Sequence, residues 1–158
     1  VQRYLIGNIC LLFSILISFV DLILKYERLA QEELEKLQDD FVNFLVVNGI
    51  TADDWVSIKE NEPLNADQIV EQFSDVIWEG VLRKVEYLDK IEAESSYFFR
   101  CEEKEIHLIR VIKNGEKLAT QTASKPYSKI RELELYDMIK NGCVISKGEQ
   151  FISLNQKS

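Results

Sequence analysis

Apolar residues recur along this chain with different periods, and each period marks a different kind of segment. Tyr4 to Val20 holds 17 residues without a charge, and Leu5 to Leu24 is interrupted only by Asp21. Beyond Lys25 the spacing turns helical: Leu34, Leu37, Phe41, Phe44 and Leu45 share a face, with Glu32, Glu33, Glu35, Asp39 and Asp40 between them. That pattern predicts an amphipathic helix over 29–48, with Gly49 as its stop. Thr51 is placed to cap a short second helix carrying Asp53 and Asp54 in its first turn, and Pro63 ends it. Asn65 and Gln68 resemble a capping box, opening a long helix to about residue 90 with Ile69, Phe73, Val76, Ile77, Val81, Val85 and Leu88 as its stripe.

The period then shortens. "SSYFFRC" and "EIHLIRVIK" are rich in aromatic and branched residues, and Asn114-Gly115 is a two-residue hairpin signal before a return strand, "EKLATQT". "SKPYSK" reads as a loop, with Ser128 a candidate cap for a closing helix, "KIRELELYDMIKNG", that stops at Gly142. "CVISKGEQFISL" reads as a short strand or turn that packs back. The predicted class is α+β: N-terminal helices packed on a small antiparallel β-meander, with a closing C-terminal helix. Residues 25–158 form one domain of ordinary size, preceded by the apolar leader 1–24.

Three readings fit the leader. As a helix, 20 residues span about 30 Å, the thickness of a hydrocarbon core, so residues 5–24 could anchor a cytoplasmic body. The chain opens on Val1 and its only methionine is Met138, which makes non-native upstream translation an alternative, with Leu24 as the start of the body. A cleaved signal fits worst, because no small-x-small site follows the apolar run.

Charge narrows the function classes. The net charge of −8 hides an asymmetry: residues 25–95 carry 18 acids against 7 bases, and residues 96–158 carry 8 against 11. A strongly negative helical half argues against a nucleic-acid partner, since phosphate contacts need a basic face. Cys10, Cys101 and Cys143 are widely spaced and suit a reducing compartment better than a disulfide framework or a zinc site.

Four stretches, "KYERLAQEELEKLQDDFVNFLVVNGITADDW", "FSDVIWEGVLRKVEYLDKI", "HLIRV" and "TASKPYS…ISKGEQF", resemble a bacterial family of short soluble proteins, a domain of unknown function. The likeness covers about residues 25–151. It implies a cytoplasmic protein and brings no activity, ligand or functional residue. Family members carry a longer segment before "TASKPYS", so the resemblance implies a shortening near 118–121 and leaves the third strand in question.

No Walker loop, GxGxxG turn, HExxH or GxSxG is present, and no catalytic residue, metal site or cofactor is expected. His107, the single histidine, falls on the strand face of Ile109 and Val111, and Cys101 could serve as a nucleophile only if His107 lay beside it across the hairpin. Paired acids such as Asp53-Asp54 and Glu102-Glu103 read as helix caps or solvated faces. The most promising local chemistry is Ser124, Lys125, Ser128, Lys129 and Arg131, hydroxyls and cations gathered before a helix, where phosphate or a carboxylate could sit. Exposed aromatics, Trp55, Trp78 or Tyr87, would instead present a surface to a protein. The sequence therefore points first to a non-enzymatic protein-binding or regulatory module in the cytoplasm. A small-anion binder or enzyme using the 122–131 loop comes second, and a membrane-anchored form of the same body third.

Overall fold

The computed structural model describes residues 25–115 and 117–156, so the leader, with the anchor, signal and upstream-translation readings that rest on it, lies outside the described residues. No helix among the described residues is long and apolar enough to cross a membrane. The class is α+β, as predicted. Six helices, α1 (Gln31–Lys36), α2 (Gln38–Val47), α3 (Ala52–Asn61), α4 (Pro63–Arg83), α5 (Arg131–Lys140) and α6 (Glu149–Asn155), accompany five strands among the described residues. These are β1 (Tyr87–Ile91), β2 (Ser95–Cys101), β3 (Glu105–Asn114), β4 (Lys117–Pro126) and β5 (Val144–Ser146). The chain divides into two compact units, with the boundary after Trp78, inside α4.

The first unit is helical and closes on Phe73. Its ring meets Phe41 edge-on at 5.0 Å and Phe44 at 5.5 Å, and Phe41 in turn meets Trp55 at 5.2 Å. Such offset and edge contacts place ring edges against ring faces, the arrangement aromatic quadrupoles favour. The predicted continuous helix over 29–48 is two helices, beginning only at Gln31 and interrupted at Leu37. Its late start has a cause: the Leu29 amide donates to the buried Ser74 hydroxyl at 3.2 Å, and Ala30 stays extended. Just upstream, the Tyr26 and Lys25 amides donate to the Asp75 carboxylate at 2.9 and 3.2 Å. Residues 25–29 are thus tied to α4 through side-chain acceptors instead of entering a helix of their own.

Thr51 caps α3 as predicted: its hydroxyl accepts from the Asp54 amide, and the Asp54 carboxylate accepts from the Thr51 amide at 3.0 Å. Helix α4 opens at Pro63 instead of at the predicted Asn65–Gln68 box. Proline suits a first helical position because its missing N–H would have had no intrahelical partner. Asn65 spends its amide on Glu62 at 3.0 Å.

In the second unit the long helix ends at Arg83, not near residue 90, and Tyr87–Ile91 becomes a strand. Val85 and Leu88 are three apart, which suited a helix, but Val85 is buried just before β1 and Leu88 is buried in that strand, paired on two sides with β2 and with β5. Paired backbone on both flanks overrides a weak helical spacing. The sheet order is β4-β3-β2-β1-β5, all antiparallel, so the three-stranded meander gains β1, predicted as helix, and β5, within the stretch predicted as a short strand or turn. The return strand is whole, ten residues long. Its hairpin turns one residue later than predicted: Asn114 pairs with Lys117, and Gly115, at φ +61°, supplies the left-handed residue.

Both faces of the sheet meet helices of this unit. Helix α6 sets Phe151 against Phe98 and Ile109, with Tyr87, Val111 and Leu154 around them. Helix α5 lies over the opposite face, where Tyr97, Phe99, Glu134, Met138 and Cys143 line a groove of about 330 Å³. The link into α6 is tight. Gly148 precedes the helix at φ +73°, and a Cβ there would fall 2.4 Å from the Tyr87 ring, whose centroid lies 6.0 Å from that of Phe151. Gly148→Ala should therefore combine backbone strain with a clash that has no room to relax. Urea unfolding should show a loss of about 3 kcal/mol. Gly142→Ala, also at positive φ but with its nearest neighbour 3.7 Å away, should lose about 1 kcal/mol.

Candidate functional site

The β2–β3 hairpin concentrates the polar side chains of the second unit. Cys101 pairs with Ile106 and Arg100 with His107, and the Glu102 amide donates to the Glu105 carbonyl at 3.0 Å across the turn. Alternation along each strand then places Arg100, Glu102, Glu105 and His107 on one face at one end of the sheet. His107 Nε2 lies 3.4 Å from Glu102 Oε2 and 3.4 Å from Glu105 Oε1. Neither contact has hydrogen-bond geometry: Nε2 is buried and has no hydrogen-bond partner. The other Glu102 oxygen, Oε1, is held by the Arg100 guanidinium.

The same register takes Cys101 to the opposite face from His107, so the two do not form a nucleophile–base pair. Burial pushes the Cys101 thiol up to about 12, although Arg131 partly offsets it, and Cys143 is raised by burial as well. Both are buried free thiols, poor in thiolate.

The predicted anion loop is assembled differently from a phosphate cradle. Ser124 sits on β4 opposite His107. Lys125 pairs with Glu134, which also accepts from the Ser128 amide at 2.7 Å and the Ser128 hydroxyl at 3.0 Å. Lys129 pairs with Asp137. Ser128 is therefore not the helix cap; α5 follows Ile130, and no side chain caps it. Arg131 turns inward and donates to four backbone carbonyls: Leu82 at 3.0 Å, Glu102 at 2.9 Å, Cys101 at 3.1 Å, and Val85. An anion entering here would have to displace carboxylates that already hold both lysines and the Ser128 amide.

The three aromatics predicted to face a partner are engaged in packing. Trp55 stands edge-on to Phe41, Trp78 donates its indole N–H to the Glu27 carbonyl at 3.1 Å, and Tyr87 covers Gly148 and Phe151. Left open instead is β4, which forms an outer edge of the sheet and is exposed at all ten residues. Grooves run along both of its faces. One, of about 500 Å³, is lined by Arg100, His107, Ile109, Thr122, Ser124 and Phe151. The other, of about 600 Å³, is lined by Tyr97, Leu108, Arg110, Gln121 and Ala123.

Sequence reasoning missed both features, the edge and the Glu102–Glu105–His107 cluster. A strand read from "EKLATQT" gives no hint of whether a further strand lies beyond it. The cluster was open to inference, because a two-residue turn at Glu103-Lys104 brings the acids to His107, but that turn carries no glycine, asparagine or proline to mark it.

The chain belongs to DUF6495, a family of unknown function, whose profile matches residues 24–120 and 112–158. The two stretches overlap over residues 112–120, which reach into the place where the resemblance implies a shortening. No curated protein and no solved structure matches the chain.

Two outcomes follow for the loop. Arg131→Met removes the one donor that four carbonyls share, although Glu102 keeps the Tyr127 hydroxyl and Leu82 the Val85 amide, and urea unfolding should show a loss of about 3 kcal/mol; Arg131→Lys should recover little, because an ammonium cannot spread over a fork of acceptors. Glu134 is subject to burial, which alone would raise it, but Lys125 and the Ser128 amide and hydroxyl outweigh burial and hold it below its ordinary value. A carboxyl lowered by folding stabilises above its unfolded value and loses that contribution as pH falls through its native one. Glu134→Gln should therefore flatten the decline in stability below about pH 4.5, measured by denaturant titration at stepped pH.

Proposed function

We propose that this chain is a non-enzymatic protein-binding module that takes up an extended strand of its partner along β4. The observation that carries the reading is the edge itself: ten residues, all exposed, with nothing paired on the outer side among the described residues. Sheets usually blunt such an edge with lysine, proline or a bulge. Here Lys117, Lys125 and Pro126 stand only at the ends, and 118–124, "LATQTAS", has neither charge nor proline. An added strand gains backbone hydrogen bonds from the edge, and side-chain grooves on alternate faces supply selectivity. The small residues Ala119, Thr120, Thr122, Ala123 and Ser124 leave Leu108 and Ile109 within reach of such side chains. The inward commitment of Arg131 and the paired lysines support this reading over an anion-binding loop. Two buried free thiols suit a reducing compartment, and the cytoplasm is the location we propose.

Adjacent residues of an antiparallel edge strand direct their amides to opposite sides, one into the ladder and one outward. Gln121→Pro and Thr122→Pro therefore form a matched pair. With a peptide selected from a displayed random library, the variant losing an outward amide should fold normally and bind at least about tenfold more weakly, a cost of one hydrogen bond to the strand. The other should lose stability. If selected peptides bind both folded variants as tightly as the parent, or shift backbone resonances away from 118–124, the edge is not the binding surface.

A further inference from the structure

We propose that Glu102, Glu105 and His107 form a divalent-cation site, with Zn²⁺ the ion it fits best and a fourth position open beside β4. The ligand atoms of the three residues all lie within 4.8 Å of one another. More telling are the two 3.4 Å separations from His107 Nε2 to the carboxylate oxygens. Donors about 2.1 Å from a tetrahedral ion stand about 3.4 Å apart, so the imidazole nitrogen already stands at that spacing from each carboxylate, and the carboxylates lie within 4.8 Å of one another. Hydrogen-bonded partners would sit closer, near 2.9 Å, and better aligned.

The chemistry of the donors agrees. His107 Nε2 is buried without a hydrogen-bond partner, an arrangement that is costly for an imidazole nitrogen unless it ligates or bonds. One imidazole and two carboxylates make a borderline donor set, suited to Zn²⁺ and unlike the all-oxygen shells of Ca²⁺. Arg100 does not block it, because the guanidinium holds Glu102 Oε1 whereas Oε2 faces His107. That pair instead fixes the carboxylate's orientation, as outer partners of metal ligands do.

The site is also held from behind. The Glu102 carbonyl accepts from the Tyr127 hydroxyl at 2.9 Å and from Arg131 Nε at 2.9 Å. Both acids therefore sit on a turn whose backbone is pinned, and His107 on a strand paired on both sides. Preorganisation of this kind lowers the ordering cost of binding. Three protein donors leave one tetrahedral position for water or an incoming side chain, the arrangement of an open zinc site. The proposal stands apart from strand capture at β4 and does not depend on it.

The test uses the untagged full chain, with Zn²⁺ alone as probe in competition with a chelating dye. One equivalent should bind. His107→Ala and the nearly isosteric Glu105→Gln should each weaken it about 100-fold, whereas Glu103→Gln at the turn tip should not. Zn²⁺ should raise the melting temperature of the parent but not of His107→Ala, and Co²⁺ in its place should give the intense visible absorption of a four-coordinate ion. Glu105→Gln keeps the test valid if His107→Ala fails to fold. The proposal is overturned by the absence of stoichiometric uptake, by uptake unchanged in both ligand variants, or by uptake that disappears instead in Cys101→Ser or Cys143→Ser.

Discussion

One guanidinium holds the second unit together. Arg131 stands at the first position of α5 yet reaches into the protein, where it answers carbonyls at the end of α4 and at the end of β2. Those carbonyls have a common problem. The last turn of a helix and the last residue of a strand both leave acceptors that regular structure cannot satisfy. A planar fork with five donors and a permanent charge satisfies several of them at once, and its positive charge also suits the negative end of a helix. The turn that carries Glu102 and the first residues of α5 are thereby tied to one point, and the neighbouring ion pairs, Lys125–Glu134 and Lys129–Asp137, arrange the loop around it.

This explains why a cluster of cations in the sequence does not behave as a free cationic surface. Lys125, Lys129 and Arg131 were legible as a group, and so was the helix that follows them. What composition could not convey is direction. Glu134 and Asp137 lie one and two turns into that helix, on the side that meets the loop, so each lysine has a carboxylate within reach. The arginine meets the adjacent Glu132 at 3.3 Å and sends the rest of its fork to the interior carbonyls. Segments with strong local signals were read correctly for the same reason that they are local: Thr51 with Asp54, Gly49 and Gly142 at helix ends, and the alternation of "EIHLIRVIK" need only a few adjacent residues.

Errors fell where distant residues decide. Tyr87–Ile91 has an ambiguous period, and only β2 on one side and β5 on the other make it a strand. Helix α1 starts late because Leu29 is held by a serine 45 positions further along. The hairpin turn moved by one residue, which shifts the β3–β4 pairing by two positions and leaves each side chain on its own face. Site chemistry followed the same division. His107 was visible as the one histidine on a strand face, but its two carboxylate neighbours depended on the register of an unmarked turn, and the exposed edge of β4 on the absence of a sixth strand beside it among the described residues.

The tether between residues 25–29 and α4 has a consequence in time. Its donors are backbone amides made early in synthesis, and its acceptors, Ser74 and Asp75, come 45 to 50 residues later. At about 5–20 residues per second, the ribosome leaves that segment waiting for roughly 2–10 s before anything exists for it to dock on. During that interval Tyr26 and Leu29, which the finished protein buries, are in water beside whatever else the nascent chain meets. Residues 25–29 therefore cannot take their places until Ser74 and Asp75 have been made.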